Sequence, residues 1–341
     1  MIPGRSLQVL RAIVEDYISS NQPVGSKSLL DRHPLGVSAA TIRNDMALLE
    51  EEELITAPHT SSGRIPTEKG YRLFVDKLGD VKPLTASERR AIETFLDGAN
   101  DLDDIVERTA RTLSELTNNL ALVQYPTLGK SRVRHVELIQ VSDFKILVML
   151  INDSGRVQQV QTDLPDSFEV ELLPELRGRL NAVLSGASLS DVGVILDRLP
   201  NDFLPERRQF VQTVMATLKS MVDENRQEKL VLSGASKLAK QDEDFGGELS
   251  SVLEAIEEQV VMMRLMHEMQ ADQYSVHLRI GSELGVAGVS HATLMTAGYE
   301  ATGVEAAKIG VLGPTRMNYS GNIASVRAVA KYLSNVLEAN S

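Results

Sequence analysis

The sequence predicts a multidomain α+β fold that opens with a small helical head, and three observations carry this expectation. Its 341 residues, 43% hydrophobic and 24% charged, are enough for two or three domains, each with its own core. The first eighty residues alternate short amphipathic segments with Pro- and Gly-containing breaks. Further on, segments of helical period enclose stretches of strand-like alternation, the pattern of helices and a sheet sharing one core.

The head is justified element by element. In "SLQVLRAIVEDYISS", residues 6–20, the side chains Leu7, Leu10, Ile13, Val14, Tyr17 and Ile18 fall on one helical stripe. "NQPVG" breaks that helix, and Ser26 is placed to cap a second, "SKSLLDRH". After "PLG", Ser38 caps a third helix whose apolar positions are Ala39, Ile42, Met46 and Leu49. "ITAPHTSSGRIPT" reads as a hairpin around "SSG", and "EKGYRLFVDKL" as a closing helix. Helix, helix, helix, hairpin is the order of a winged helix-turn-helix, here within residues 1–80.

"GDVKPLTAS" is a linker, and Thr85 with Glu88 forms a capping box that opens a helix over 86–97. A second helix is expected over 102–124, striped by Leu102, Ile105, Val106, Leu113, Leu116 and Leu120. "RVRHVELIQVSDFKILVMLINDSGRVQQVQTDL" holds two to three strands, with "NDSG" as a turn. After Pro165 the pattern becomes helical and Pro-interrupted until the loop-like "QDEDFGGELS". A Met-rich helix over 249–270, the strand "SVHLRIG", two more strands and a helix over 322–338 complete the chain. The economical division is a discontinuous α+β domain, 81–165 and 246–341, interrupted by a mainly helical insert over 166–245.

Composition narrows the chemistry. Cysteine is absent, which excludes disulfides, thiol nucleophiles and thiolate zinc sites. None of the six histidines has metal-binding spacing, so no metal or other cofactor is expected, and no nucleophile–base pair suggests an enzyme. No apolar run is long enough to span a membrane, and the N-terminus lacks a signal-peptide pattern, which fits a cytoplasmic protein. A net charge of −12 argues against a generally basic coat. Residues 1–80 carry nine Lys/Arg against eleven Asp/Glu, four of the acids being the run Glu50 to Glu53. The case for nucleic acid therefore rests on pattern rather than net charge.

That pattern centres on the third helix. With Ile42 and Met46 facing inward, 100° per residue turns Ala40, Thr41, Asn44 and Ala47 outward and leaves Arg43 on the flank. A helix-turn-helix inserts these first turns into the major groove. Asn44 suits bidentate pairing with adenine, Thr41 and Ala40 suit a thymine methyl, and Arg43 suits a phosphate or guanine. In the wing, Gly63 permits a tight turn and Arg64 is expected at its tip, positioned for a minor groove. Ser61, Ser62, His59, Lys27 and Lys69 are candidate phosphate contacts.

At these residues the chain resembles a known family. "PVGSKSL", "VSAATIRNDMALLE", "PHTSSGRIPTEKGYRLFVD", "RIGSELG" and "IGVLGPTRMNYSGNIASVRAVAKYLS" are similar to motifs of the heat-inducible transcription repressors, HrcA. "TIRNDM" alone is shared in kind with DeoR-type sugar-metabolism repressors. The resemblance implies a bacterial repressor of chaperone operons, bound as a homodimer to an inverted repeat in double-stranded DNA and assisted by the GroEL chaperonin. It also implies a winged helix, a GAF-like domain and an inserted dimerisation segment. DNA contact carries over to Thr41, Arg43 and Asn44 and to Ser62, Gly63 and Arg64. One departure is Glu53, which stands where the family usually has Gly and bears on how the third helix ends.

Two rivals stay open. The sheet domain of a metabolite-sensing regulator would bind a small molecule, and the winged helix of an interaction protein would bind protein. "GSELGVAG" lacks Walker or Rossmann spacing and reads as a loop, and Arg316 in "GPTRM" reads as a core partner. The Met-rich helix reads as core or dimer seam.

Overall fold

The computed structural model describes residues 2–59, 62–78, 83–96, 98–99, 101–126, 132–153, 157–164, 168, 171–199, 203–226, 229–269, 275–301 and 304–339. It is a mixed helix-and-sheet protein, as expected. The head holds α1 (Gly4–Ser20), α2 (Ser26–Arg32), α3 (Ala39–Glu51), the two-residue strands β1 (Ile55–Thr56) and β2 (Ile65–Pro66), and α4 (Glu68–Asp76). Its core takes Leu10, Ile13 and Val14 from the expected α1 stripe, with Leu29, Ile42 and Leu49, each at most 1% exposed, whereas Leu7, Tyr17 and Ile18 are partly buried.

The main body begins with α5 (Ala86–Leu96), where Thr85 and Glu88 form the expected reciprocal cap. Next, α6 (Leu102–Thr117) ends sooner than its hydrophobic stripe suggests, because Asn118 takes a left-handed conformation with φ 53°. The rest of the expected helix is strand β3 (Leu120–Gln124). A strand buried on both faces is apolar throughout and does not betray its period.

The chain then forms a separate lobe. The meander β4 (Val133–Ser142), β5 (Lys145–Asn152) and β6 (Val157–Asp163) is an antiparallel sheet, and residues 154 and 155 of the expected turn lie outside the described residues. It packs on α7 (Leu172–Leu184), α8 (Leu189–Leu196) and α9 (Pro205–Arg226) in one core that includes Val136, Val148, Leu176 and Val214. The expected insert spans 166–245. The three strands share their core with the insert helices, so the compact unit runs from about 132 to 226.

The return strand β7 (Leu230–Ser233) pairs with β3, so the chain is back in the body by residue 230. There follow α10 (Ala235–Ala239), α11 (Leu249–Glu257), α12 (Gln259–Glu268), β8 (His277–Ile280), β9 (Ala292–Ala301), β10 (Val304–Pro314) and α13 (Tyr319–Ala339). "QDEDFGGELS" is not a boundary loop: Asp242–Phe245 is a 3-10 turn whose Phe245 is fully buried. The Met-rich helix is two helices broken at Glu258, with Met262, Met266 and Met269 in the core.

The body sheet has the order β7-β3-β10-β9-β8, with every pairing antiparallel. Alternation along β3 divides two cores: Ala121 and Val123 face α6, α13 and the head, whereas Leu120 and Leu122 face α11 and α12. The head joins the first of these cores. Tyr71 and Phe74 of α4 meet Tyr319 of α13 at ring-centroid distances of 5.7 and 6.4 Å.

Candidate nucleic-acid interface

The front of α3 is open. Ala40, Arg43, Asn44 and Ala47 are exposed and Thr41 is partly so, opposite the buried Ile42, Met46 and Leu49. Ser38 starts the helix in extended conformation, and its hydroxyl accepts the Thr41 N–H at 3.2 Å. That satisfies one of the donors a helix N-terminus leaves open. The expectation for Ser26 is corrected. Gly25 takes the cap position of α2 and Ser26 is its first helical residue, free to accept the Arg43 guanidinium at 3.3 Å. Ser26 and the exposed Lys27 thus stand beside Arg43 along one edge of the α3 face.

Asp45 fixes the orientation of this helix. It is 4% exposed and accepts from Arg5 at 2.8 Å and from the Ser6 hydroxyl at 2.8 Å, tying the back of α3 to the start of α1. The Arg5 hydrogen bond, with help from Ser6, holds its carboxyl below the usual carboxylate range against the opposing effect of burial. Sequence periodicity alone gave no sign of Asp45, which sits among the apolar positions of α3.

The hairpin differs from expectation in its details. Arg64 does not project at the tip. Its side chain lies on Glu50 at 2.9 Å and donates to the Ser62 carbonyl at 3.2 Å, while its backbone forms a bridge with Val24. Gly63 serves close approach instead of a tight turn: a Cβ there would stand 2.6 Å from the Pro23 and Val24 carbonyl carbons. The Ser62 hydroxyl donates to the His59 carbonyl at 2.6 Å and accepts the His59 N–H at 2.9 Å, so it closes the loop on itself. Ser61 lies outside the described residues. Lys69 donates to the Glu52 carbonyl at 2.8 Å, which occupies it at the end of α3. Arg64 and Lys69 both answer the glutamate run, whereas Lys27, Arg43 and His59 are exposed.

The end of α3 resolves the role of Glu53. The Leu54 N–H bonds the Leu49 carbonyl at 2.8 Å and the Glu53 N–H bonds that of Glu50 at 3.0 Å, a Schellman termination with Glu53 left-handed at φ 59°. Gly is the residue such a position favours.

A sequence model described as "HrcA protein C terminal domain" matches residues 103–323. Proteins named "Heat-inducible transcription repressor HrcA" are 53% identical in Clavibacter michiganensis subsp. michiganensis and 52% in Leifsonia xyli subsp. xyli, each over 99% of both chains. The chain belongs to the HrcA family. A further HrcA relative, from Streptomyces avermitilis, is 48% identical over 99% of both chains. These relatives are named as regulators, not enzymes. Among solved structures, a protein titled only "Crystal structure of a hypothetical protein at 2.2 A resolution" superposes with TM-score 0.72 over the whole of both chains at 23% identity, a likeness of fold. The HrcA motifs "RIGSELG" and "GPTRM" lie where the body meets the head, Glu68 and Ile18 being their respective contacts. Among the described residues no helix is long and apolar enough to cross a membrane.

Proposed function

We propose that the chain is a homodimeric repressor of heat-shock chaperone operons whose head is a winged helix-turn-helix that binds an inverted repeat. The observation that carries this is the open, capped front of α3, with Ala40, Thr41, Arg43 and Asn44 presented together and none of the described residues across them. Asn44 reads a base edge, Thr41 and Ala40 admit close approach, and Arg43 on the flank joins Ser26, Lys27 and Ser38 in holding phosphates. Ser61, Ser62, Gly63 and Arg64 belong to the wing; Ser62, Gly63 and Arg64 act there chiefly by holding its shape, and Arg64 meets DNA only by leaving Glu50.

The body is read as GAF-like, with the lobe as the dimerisation segment. Supporting this, one face of the lobe sheet leaves Ile139, Val141 and Val157 about half exposed, with Phe144 at the adjoining turn. Release under heat follows from chaperonin availability: an unfolding-prone repressor depends on GroEL to regain its active fold and loses it when other clients occupy the chaperonin. The metabolite-sensing alternative is not favoured, since the relatives are named as heat-inducible transcription repressors.

The test is a salt-titrated mobility-shift assay on an inverted repeat taken from upstream of a chaperonin operon. With Lys27 and Arg43 of both heads on phosphates, about four cations per dimer, affinity is expected to fall by roughly a hundred-fold between 50 and 200 mM salt. Binding that ignores salt, or that is equal on a scrambled repeat, refutes the reading.

A further inference from the structure

We infer that Arg316 is a positioning residue that fixes the DNA-binding head on the body and so sets which half-site spacing the repressor accepts. This rests on the proposed reading of the head as the binder of a two-half-site operator.

Arg316 lies in the turn between β10 and α13 and joins three elements. Its Nε and Nη2 donate to the two oxygens of Asp244 at 2.7 Å each, and its Nη1 donates to the Ile18 carbonyl at 2.7 Å. That carbonyl is in the last turn of α1, where a helix leaves its acceptors unfilled. Asp244, 9% exposed, is held in the 3-10 turn that anchors through Phe245. A planar guanidinium can direct two donors to a carboxylate and a third elsewhere; an ammonium cannot reproduce that fork.

A second attachment lies on α4. Glu68 accepts from the Ser282 backbone at 3.1 Å and its hydroxyl at 2.6 Å, and Arg72 donates to the Leu278 carbonyl at 3.1 Å. Gly281, at φ 55°, leaves the space in which the Glu68 carboxylate sits. The start of α1 is in turn bound to α3 through Asp45. A continuous path therefore runs from the body through Arg316 and α1 to the base-reading helix. Heads on loose linkers would follow half-sites moved along and around the duplex. Heads held in this way would not, because about 10–10.5 bp make one turn and each added pair rotates the site.

The experiment measures binding by fluorescence anisotropy to a set of operators whose half-sites are moved apart in single base-pair steps, and to one isolated half-site. Wild-type affinity is expected to drop about a hundred-fold when spacing changes by half a turn, the lower end of what simultaneous engagement contributes. Arg316→Ala should reduce the half-turn penalty at least three-fold, the α4 attachment still holding, while leaving the isolated half-site unchanged. Arg316→Lys, which keeps the charge and serves if the alanine variant does not fold, should behave alike. A variant that is merely less stable loses active protein equally at every spacing, so the ratio between spacings stays put. A wild-type spacing ratio in the folded variants, or no spacing dependence in the wild type, overturns the inference. Absence of salt-dependent binding to any operator instead overturns the proposed function, and the inference with it.

Discussion

Replacing Glu53 by Gly should make the protein more stable without touching the exposed face of α3. Glu53 is left-handed at φ 59°, in a termination whose two hydrogen bonds and whose buried Leu49 and Leu54 demand that conformation. An L-residue there costs about 1–2 kcal/mol, and Gly avoids this cost while losing some of the gain to its larger unfolded-state entropy. Removing a negative charge from a helix C-terminus adds at most about 0.3–1 kcal/mol. Here the side chain is 83% exposed and Lys69 stands 3.7 Å away, so the lower end applies. The expected net gain is about 1 kcal/mol. Urea denaturation followed by circular dichroism measures it, with Glu53→Ala as a companion. Alanine removes the charge but keeps the strained backbone, so it should give less than about half the glycine gain. Equal gains in the two variants would show that charge, not backbone, governs the site. A loss with Gly would refute the account of the helix end.

Other expectations are as direct. Asp45→Asn should cost about 2 kcal/mol at neutral pH, the scale of hydrogen bonds to a buried charge. Because the folded-state pKa of Asp45 is depressed, its stabilisation is present above the unfolded value near 4 and is lost as pH falls through the folded value. The gap between wild type and Asp45→Asn in thermal melts should thus close below pH about 4, and a gap that widens in acid would contradict the pairing. Asn44→Ala should cost about 1–3 kcal/mol on the operator and relax preference at one base pair, read by a competition series of single-base variants; undiminished discrimination at every position would remove Asn44 from base reading. Gly63→Ala should destabilise by about 1–3 kcal/mol, since its Cβ meets the Pro23–Val24 backbone, and unchanged melting would show that the hairpin can shift aside.

Much of the head was legible in its sequence because its helices are amphipathic and its breaks are Pro and Gly. The outward placement of Ala40, Arg43 and Asn44 follows from the Ile42–Met46 direction alone. Other features depend on partners distant in the chain. Nothing near Arg64 announces that Glu50 will hold it, and nothing near Lys69 announces the Glu52 carbonyl. The helix expected over 102–124 stops at Asn118, whose left-handed turn is a property of one residue, while the strand beyond has both faces buried and therefore no visible period. In the sequence β4 to β6 look like any other strands. Only their packing on α7 and α9 assigns them to the lobe. Ser26 lost the cap to Gly25, a neighbour equally able to be extended. Arg316 was correctly expected as a core partner, but its reach to α1 was invisible.

The way the lobe is hung has a consequence for modular change. Gln124 and Leu230, where the chain departs and comes back, are direct cross-strand partners, and Tyr125 donates to the Lys229 carbonyl at 2.8 Å. Opposed residues in an antiparallel pair stand only about 4.5–5.5 Å apart, a gap that a short hairpin turn can close. About a hundred residues could therefore be excised and replaced by such a turn with the five-stranded scaffold left whole. Architecture of this kind lets one appendage be lengthened, shortened or traded during evolution while the remainder keeps its shape.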